Sequence, residues 1–427
     1  MIIDNFYKNR IAIIGLGYVG LPLLLEFSKK FTVTGFDINK KRIKNLNIEV
    51  DTNKDINLKN RINNKKITLT SNEKLLNECN IYIVTVPTPL RKNNSPNLKP
   101  LKDSTKLLSK YLNKNDLIIY ESTVFPGAIE EICVPLINKI SKLIYNVDYF
   151  CGYSPERINP GDKIRTLTNI KKITSGSNSK VANFVDKLYK TIIKAGTYKV
   201  KSIKIAEAAK VIENTQRDLN IALFNELSKI FNILNLDTKE IIDAASTKWN
   251  FVSFKPGLVG GHCIGVDPYY LTYKSKSIGY NPEVILSGRK INDSMGEYVA
   301  KNFYNKLIQR HKNKKNFKIL IMGFSFKENC SDIRNTKVID IVRYLQNKNI
   351  YVDVYDPYVD KSDIKKIKKI NFTRNLKEKY YDGVIIAVAH RKFKKMSIFK
   401  IKNLCNKNKI IYDLKSIFPS SHTDMSL

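Results

Sequence analysis

One cysteine of the chain stands in a setting that suits covalent chemistry. Cys263 lies in the stretch 256–268, PGLVGGHCIGVDP, in which four glycines let the backbone fold closely around a single thiol. A thiolate can add to an aldehyde and later leave from a thioester, and this chemistry requires an accessible cysteine. A structural cysteine in a glycine-rich loop explains the residues equally well, so both interpretations stay open. Adjacency alone does not make His262 its base, since neighbouring side chains in a loop can point apart.

A second group of polar residues stands at helical spacing. Lys210 and Asn214 are four positions apart, so they share one face of a predicted helix. An ammonium and an amide that point together into a crevice could stabilise a developing oxyanion. A solvated helical face is the simpler explanation, and the spacing alone favours it.

A glycine-rich pattern near the start of the chain suits a dinucleotide. Gly15, Gly17 and Gly20 form a GxGxxG between an apolar run and a helical pattern, and Asp37 ends the next apolar run. Glycines let the backbone turn sharply and approach a pyrophosphate, which the helix N-terminus can bind. The aspartate would accept hydrogen bonds from the ribose and repel a 2′-phosphate, which favours NAD over NADP. A structural turn with a surface aspartate is the alternative.

Two further segments follow apolar runs and are candidates for ligand contacts. They are 86–89 (VPTP) and 121–123 (EST). The carboxyl ends of parallel strands open onto the ligand crevice of such sheets, so both segments are expected near the cofactor. A stiff loop is the alternative explanation of the two prolines.

The remaining sequence consists of two strand-rich regions separated by a helical one. Apolar runs in the first region lie at 10–15, 31–37, 81–86, 117–122 and 147–152. Those of the last region lie at 318–323, 350–355, 383–388 and 409–413, with a helical pattern at 335–346. Alternation of short apolar runs with helical or polar segments is typical of parallel sheets covered by helices on both faces.

The middle region has helical periodicity. Residues 201–236 carry apolar side chains at helical spacing with neither glycine nor proline, which predicts one long helix. Shorter helices are predicted over 238–246 and 282–309, with the loop 255–268 between them. The predicted fold class is therefore α/β, with two Rossmann-like open parallel-sheet domains joined by a helical middle region that contains a long central helix.

The chain is strongly basic, with 74 Lys+Arg against 39 Asp+Glu and a formal net charge of +35. Such a charge raises the question of a nucleic-acid or anionic membrane partner. The lysines are spread along the chain among Asn and Ile residues, and no nucleic-acid-binding signature accompanies them. A general compositional bias explains this pattern, so no dedicated nucleic-acid or membrane partner is expected. A positive field would still help to gather an anionic substrate.

Composition also predicts a location. Hydrophobic residues make up 43% of the chain and charged residues 26%, as in soluble globular proteins. The six cysteines form no CxxC pair, which suggests neither a zinc site nor a disulfide framework and predicts a reducing compartment. The N-terminus lacks the features of a secretory signal, and no apolar run approaches the roughly 20 residues that cross a bilayer. A cytoplasmic protein without a metal site is expected.

Several segments together carry a family resemblance. They are GLGYVGLP (15–22), YSPERINPG (153–161), AEAAKVIENTQRDLNIALFNE (206–226), GLVGGHCIGVDPYYL (257–271) and GFSFKENCSDIRNT (323–336). In this combination and order they resemble the UDP-glucose/GDP-mannose dehydrogenase family over essentially the whole chain. The resemblance implies an NAD-dependent nucleotide-sugar 6-dehydrogenase that oxidises a C6 alcohol to a carboxylate through a thioester on Cys263.

The resemblance extends to the N-acetylhexosamine branch of that family. The chain reads GGHCIGVD around the cysteine, whereas the glucose enzymes typically read GGSCFPKD, which argues against UDP-glucose. The expected reaction is oxidation of UDP-N-acetylglucosamine to its uronic acid for surface polysaccharide (capsule-type) biosynthesis. UDP-N-acetylgalactosamine, UDP-N-acetylmannosamine, UDP-glucose and GDP-mannose are alternative substrates. A non-catalytic, basic binding protein on a Rossmann scaffold is the alternative from another class, and the full set of matching catalytic residues argues against it.

The resemblance implies a role for each matching catalytic position. Cys263 is the implied nucleophile, and Lys210 and Asn214 are implied to steady the oxyanion of the thiohemiacetal. Asp267 is implied to order water and to assist proton transfer.

Other residues are implied to act on water or to contact the ligands. Glu156 would help water to attack the thioester, and Thr123 would hold that water. The implied cofactor contacts are Gly15, Gly17, Tyr18, Val19, Gly20, Asp37, Arg42, Pro87, Thr88, Ser122, Thr123 and Arg334. The implied substrate contacts are Glu156, Arg157, Lys210, Asn214, Lys255, Gly257, Gly260, Tyr269, Arg289 and Lys327.

The resemblance also assigns the predicted domains. Residues 1–200 are expected to bind NAD, of which two molecules per turnover would accept hydride. Residues 201–310 are expected to carry the cysteine loop and to form a homodimer, or a higher homo-oligomer, through the long helix. Residues 311–427 are expected to bind the UDP-sugar substrate.

Overall fold

The computed structural model describes residues 6–52, 57–158, 165–312, 314–364, 367 and 369–427. Of the predicted motif at 153–161, the last three residues lie outside the described part of the chain. The chain forms two compact units. Unit 1 comprises Met1–Glu213 with Tyr269–Tyr280, and unit 2 comprises Asn214–Pro268 with Asn281–Leu427.

Unit 1 is built on a twisted sheet of eight described strands in the order β3-β2-β1-β4-β5-β6-β7-β8. The strands are β1 (Arg10–Ile14), β2 (Thr32–Phe36), β3 (Ile67–Thr70), β4 (Ile81–Val84), β5 (Leu117–Tyr120), β6 (Phe150–Tyr153), β7 (Lys172–Gly176) and β8 (Thr197–Lys199). Its helices are α1 (Gly20–Phe27), α2 (Lys40–Asn47), α3 (Lys99–Ser109), α4 (Val134–Ser141) and α5 (Ser179–Lys190). Every residue of β4 and β5 is buried, as expected of parallel strands covered on both faces.

Among the described strand pairs of this sheet, only β6 and β7 run antiparallel. A parallel pair needs a crossover, usually a helix, whereas an antiparallel pair does not. Between β6 and β7 the described residues form only the short turn Leu167–Asn169. The amino end of β7 therefore lies at the same edge of the sheet as the carboxyl end of β6.

Unit 2 contains a second sheet, in the order β11-β10-β9-β12-β13-β14, whose described pairs are all parallel. The strands are β9 (Lys318–Met322), β10 (Tyr351–Tyr355), β11 (Asn371–Phe372), β12 (Tyr381–Ile386), β13 (Cys405–Asp413) and β14 (Met425–Ser426). Its helices include α7 (Thr238–Ala245), α9 (Glu283–Arg310), α10 (Val338–Asn347), α11 (Lys361–Ile364), α12 (Arg391–Lys394) and α13 (Ile398–Asn403). Helices α6 (Ile203–Ile233) and α8 (Asp267–Ser277) contain residues of both units.

The turns that follow β1 and β9 have the same local structure in the two sheets. Gly15 after β1 has a φ of 94°, and Gly323 after β9 has a φ of 93°. Asp37 after β2 accepts the Leu16 N–H at 2.9 Å, and Asp356 after β10 accepts the Phe324 N–H at 2.7 Å. Unit 2 therefore repeats the backbone geometry of a dinucleotide-binding turn.

The predicted fold class is confirmed, because both sheets are predominantly parallel and a long helix, α6, occupies the predicted place between them in the chain. Each predicted apolar run overlaps a strand. Strands β3, β7, β8, β11 and β14 were not predicted, and helix α8 begins inside the predicted loop at 255–268. The domain boundaries at 200 and 310 remain predictions. Among the described helices, none combines the length and the apolar character that crossing a membrane requires.

Candidate active site

The turn between β1 and α1 is built around three glycines. Gly20 begins α1, and a Cβ there would overlap the Gly15 carbonyl oxygen, so the helix can start here only with glycine. A Cβ on Gly17 would meet no atom of the described residues within 4 Å, so the space beside it is open. The turn lies where the strand order reverses between β1 and β4, the place at which open α/β sheets bind nucleotides. Open space beside glycine backbone at a helix N-terminus fits the pyrophosphate of NAD.

The carboxylate of Asp37 is fixed beside this turn. One oxygen accepts the Leu16 N–H and the other accepts the Asn39 N–H, each at 2.9 Å. Each oxygen keeps lone-pair capacity for a ribose hydroxyl. Tyr18 is half-buried and Val19 is buried in the same turn. The predicted contact of Asp37 with the ribose of a dinucleotide stays a prediction.

Arg42 on α2 is buried and forms several hydrogen bonds within unit 1. Its Nε donates to the Leu16 carbonyl at 3.0 Å, and a terminal nitrogen pairs with Asp51 at 2.7 Å and contacts Thr52 at 3.0 Å. These bonds support the glycine turn from behind. Direct contact of Arg42 with the cofactor remains a prediction.

Gly17→Ala and Gly20→Ala are expected to fail in different ways. The added methyl at residue 17 enters open space, so the melting temperature should stay near the parental value while NAD binding weakens by about tenfold or more, or about 1.4 kcal/mol. The methyl at residue 20 overlaps backbone, so the melting temperature should fall by several degrees. Thermal unfolding and calorimetric NAD titration separate the two effects. Equal losses of stability would contradict the assignment of the space beside Gly17 to the cofactor.

The carboxyl ends of β4 and β5 are tied together. Ser122 Oγ donates to the Val86 carbonyl at 2.6 Å, and Thr88 Oγ1 donates to the Thr123 carbonyl at 2.7 Å. Pro87 is exposed between them. Four predicted cofactor residues thus lie along one edge of the first sheet, in the segments that follow β4 and β5.

Glu156 and Arg157 follow β6 at the same edge. Glu156 is buried, and its carboxylate accepts the Ile158 N–H. The Arg157 guanidinium pairs with Glu213 at 2.8 Å and donates to the Lys171 carbonyl at 2.7 Å. Arg157 therefore links this segment to α6 within unit 1, and its contact with substrate stays a prediction.

The start of α6 is fixed to the segment that follows β5. Glu207, one turn before the buried Lys210, is fully buried and accepts the N–H groups of Gly127 at 2.5 Å and Ile129 at 3.0 Å. Burial raises the pKa of Glu207 to about 7, although these two hydrogen bonds oppose the rise. The half-buried Tyr269 also belongs to unit 1.

In unit 2 the predicted nucleophile lies in the turn that leads into α8. Cys263 is half-buried, and its carbonyl accepts the N–H groups of Val266 at 3.0 Å and Asp267 at 2.8 Å. The buried Asp267 carboxylate accepts the Asn214 amide at 2.5 Å. Two of the predicted catalytic side chains, Asn214 and Asp267, are thus in direct contact, and Asp267 follows the cysteine closely in the chain.

The beginning of the cysteine loop is held by a buried amide. Asn225 on α6 accepts the Gly257 N–H at 2.7 Å and donates to the Gly257 carbonyl at 3.1 Å. The same amide donates to Asn292 on α9 at 2.8 Å. Lys255, two residues earlier, is exposed. Gly257 is therefore a structural anchor of the loop.

The middle of the loop packs against the segment 323–336. The Gly261 N–H donates to the Arg334 carbonyl at 3.1 Å, and the Asn335 amide donates to the Gly261 carbonyl at 3.0 Å. Gly261 has a φ of 82°, and a Cβ there would lie 2.7 Å from the Phe326 ring. Gly260 is as tightly placed, since its Cβ would lie 2.8 Å from the Asn335 carbonyl oxygen. The two motifs predicted to be functional therefore support each other.

His262 faces a carboxylate. Its Nδ1 lies 3.7 Å from Asp332, and its ring meets the Phe326 ring edge to face at a centroid distance of 6.2 Å. Burial raises the pKa of Asp332, whereas hydrogen bonds from the side chain and the N–H of Arg334 lower it. Together the lowering effects are larger, so the pKa of Asp332 lies below its ordinary value. Arg334 is exposed and is engaged with Asp332. These contacts give His262 a packing role and leave the predicted cofactor contact of Arg334 untested.

Arg289, a predicted substrate residue, lies on the buried side of α9. It pairs with Asp218 on α6 at 2.7 Å and with Asp293 at 2.5 Å, and it is only 3% exposed. Asn292 donates to the same Asp218 carboxylate at 2.7 Å. The arginine therefore belongs to a polar network that joins α6 to α9.

A cleft of about 220 Å³ opens at the carboxyl ends of β9, β12 and β13. Its lining residues are Leu258, Gly260, Ser325, Phe326, Lys327, Glu328, Thr336, Lys337, Val338, Ala387, Val388 and Lys415. The order of the second sheet reverses between β9 and β12, so the cleft occupies the ligand position of an open α/β sheet. The predicted Lys327 is joined here by Lys337 and Lys415. Three cations around a cleft of this kind can bind a diphosphate.

Burial lowers the pKa of Lys415, and the nearby Lys255 adds to the effect while Glu328 opposes it. Lys337 pairs with Asp293 at 3.1 Å. Neither Lys337 nor Lys415 was singled out from the sequence, because 74 Lys+Arg residues offer no local signal that distinguishes them.

Three models of one family match the chain. They are the UDP-glucose/GDP-mannose dehydrogenase family NAD binding domain over residues 9–193, central domain over 204–294 and UDP binding domain over 320–420. UDP-N-acetyl-D-glucosamine 6-dehydrogenases of Salmonella typhi and Pseudomonas aeruginosa are each 51% identical over 418 residues, covering 98% of this chain and 98% and 99% of their own. The solved UDP-D-ManNAc dehydrogenase of Pyrococcus horikoshii has a TM-score of 0.85 at 29% identity and 98% coverage of both chains. The chain therefore belongs to the UDP-glucose/GDP-mannose dehydrogenase family and is an NAD-dependent oxidoreductase.

Proposed function

We propose that the protein oxidises the C6 hydroxyl of UDP-N-acetylglucosamine to the uronic acid through a thioester on Cys263, as a step of surface polysaccharide biosynthesis. The observation that carries the proposal is the placement of Cys263, half-buried in a glycine loop whose later residue Asp267 is bonded to Asn214. The 51% identity to two UDP-N-acetyl-D-glucosamine 6-dehydrogenases supports the choice of sugar. The overall change is a four-electron oxidation of an alcohol to a carboxylate.

The first half of the reaction produces a covalent intermediate. NAD supplies the hydride acceptor for both oxidations, two molecules per turnover. Once C6 is an aldehyde, the Cys263 thiolate forms a C–S bond to it, and the carbonyl oxygen becomes the oxyanion of a thiohemiacetal. Lys210 and Asn214, one turn apart on α6, would stabilise that oxyanion, and Asp267 would move its proton.

The second half returns the free thiol. Oxidation of the thiohemiacetal gives a thioester, whose carbonyl carbon is open to attack by water. Thr123 would hold this water, and Glu156 would take a proton from it. The C–S bond then breaks, the carboxylate forms, and the Cys263 thiolate leaves.

The nucleotide end of the substrate would be bound in unit 2. The cleft with Lys327, Lys337 and Lys415 suits two phosphates, and its position after β9 and β12 suits a nucleotide.

We also propose a homodimer formed through the long helix, since Leu223, Ile230 and Ile233 on α6 are 50%, 45% and 80% exposed.

A panel of nucleotide sugars tests the substrate. UDP-N-acetylglucosamine, UDP-N-acetylgalactosamine, UDP-N-acetylmannosamine, UDP-glucose and GDP-mannose are compared by NADH absorbance under identical conditions. We expect the highest kcat/KM for UDP-N-acetylglucosamine, with two NADH formed per sugar. A preference of about tenfold or more for another sugar, which corresponds to about 1.4 kcal/mol in transition-state binding, would replace the proposed substrate.

A further inference from the structure

A buried ammonium group lies at the edge of the first sheet from which the segments with Glu156 and Thr123 extend. Lys172 is the first residue of β7, and its side chain is only 4% exposed. It pairs with Glu121 at 2.7 Å, a carboxylate whose side chain is fully buried. The second oxygen of Glu121 accepts the Tyr189 hydroxyl. The proposed reaction uses none of these three side chains.

The antiparallel direction of β7 explains how Lys172 reaches this edge. Tyr153 of β6 pairs with Ser175 of β7, so the amino end of β7 lies beside the residues that follow β6. From there the Lys172 ammonium donates to the carbonyl of Ser154 at 3.2 Å and to that of Pro155 at 2.9 Å. If β7 ran parallel to β6, its first residue, Lys172, would lie at the opposite edge of the sheet, away from Glu156.

The three hydrogen bonds of the ammonium connect two segments of the proposed site. Glu121 immediately precedes Ser122 and Thr123 at the end of β5. Pro155 immediately precedes Glu156. One cation therefore fixes both the segment that carries the Thr123 hydroxyl and the segment that carries the Glu156 carboxylate.

Stability alone does not account for this arrangement. A buried ion pair can often be replaced by apolar side chains of similar volume without loss of stability, because removing two charges from water is costly. What apolar side chains cannot do is donate in fixed directions to two backbone carbonyls and a carboxylate. Directional bonds restrain position, and catalytic groups lose rate when they move by about 1 Å.

We propose that Lys172 is a positioning residue that holds Glu156 and Thr123 in the geometry for thioester hydrolysis. The inference rests on the proposed function, since it concerns the second half of that reaction. In this proposal β7, which runs antiparallel to β6, helps to set the position of the hydrolytic water. Lys172 makes no contact with the reacting atoms in this role, and its effect passes through Glu121 and the backbone before Glu156.

The test compares thioester hydrolysis in variants under single-turnover conditions, with rapid acid quench and intact-mass measurement of the acyl group on Cys263. Lys172→Met alone leaves Glu121 buried without its cation and can unfold the chain. The double variant Lys172→Met/Glu121→Gln removes both charges and keeps the fold testable by NAD binding. We expect it to hydrolyse the thioester about 100-fold more slowly than the parent, with the acylated protein accumulating, while formation of the adduct changes far less.

Two further variants make the outcome decisive. Glu156→Gln should accumulate the same adduct, and adding the double substitution to it should slow hydrolysis no further. Lys114→Met, which removes the exposed pair with Asp148 ahead of β5, should hydrolyse at the parental rate. Parental hydrolysis in the double variant, together with an adduct in Glu156→Gln, would overturn the positioning role and leave the proposed function intact. Absence of an adduct in every variant would instead overturn the thioester mechanism and the positioning role with it.

Discussion

Replacing Cys263 by serine is expected to reduce formation of the uronate by at least about a thousandfold, because removing a nucleophile abolishes the covalent route. A serine hydroxyl is almost entirely protonated at neutral pH, so it cannot replace a thiolate that adds to an aldehyde and leaves from an acyl group. The first oxidation does not need the thiol. The ratio of NADH to sugar should therefore fall from two toward one, with an aldehyde that hydroxylamine can trap.

Cys330 provides the matched control, since it is the other half-buried cysteine among the described residues. Its sulfur accepts the Asp332 N–H at 3.3 Å, and a serine oxygen at this position can accept the same bond. Cys330→Ser should keep two NADH per sugar at a rate near the parental one. Normal steady-state formation of two NADH per sugar by Cys263→Ser would exclude the thioester mechanism, whatever the identity of the sugar.

The clearest strands to predict from the sequence are those with continuous runs of large apolar side chains. β4 and β5 are continuous apolar runs because helices cover them on both sides, and such runs are visible without any knowledge of tertiary structure. The missed strand β3 (Ile67–Thr70) lies at the edge of the sheet and has only one buried residue. The missed β11 and β14 have two residues each, too few for a periodic signal.

The missed β7 and α8 have a different cause. Strand β7 (Lys172–Gly176) reads KITSG, and all five residues are buried although only one has a large apolar side chain. Its burial depends on partners such as Glu121, which lies 51 positions earlier in the chain. Helix α8 begins at Asp267, inside a stretch whose glycines and prolines predicted a loop up to residue 268. Long-range pairing therefore decided the structure of both segments.

The candidate site shows the same division between local and long-range information. The glycine turn, Asp37 and the cysteine loop were predicted because backbone geometry and nucleophilic chemistry leave marks within a few residues of sequence. The Asn214–Asp267 contact joins positions 53 apart, and the Asn225 anchor of Gly257 joins positions 32 apart. Asn225 had no local signal, since an asparagine on a helix is far more often a surface residue.

Arg289 illustrates where residue type and position lead to different interpretations. The family resemblance implied that Arg289 contacts the substrate. The structure places its guanidinium against Asp218, whose side chain is fully buried, and against Asp293. Arg289 therefore neutralises two carboxylates of the protein itself. A role toward substrate in addition stays open to experiment.

Arg289→Met is expected to lower the free energy of unfolding by about 3–5 kcal/mol, as is typical when one partner of a buried ion pair is removed. Asp218 would then be a buried carboxylate that has lost its main counter-charge. Burial already raises the pKa of Asp218, and Arg289 is the strongest of the groups that oppose the rise. Without the arginine the pKa should rise further. A carboxyl whose pKa is higher in the folded than in the unfolded state stabilises the fold below its unfolded pKa and loses that contribution as pH rises.

Urea unfolding monitored by circular dichroism between pH 5.5 and 8 checks this prediction, with the greatest loss of stability expected at the alkaline end. The double variant Arg289→Met/Asp218→Asn removes both charges and should recover most of the lost stability at every pH. Its KM for the nucleotide sugar then reports on any contact with substrate. If the double variant has the parental KM, Arg289 belongs to the α6–α9 network alone. If Arg289→Met instead keeps the parental stability and its KM rises about tenfold, the arginine contacts the substrate and does not stabilise the fold.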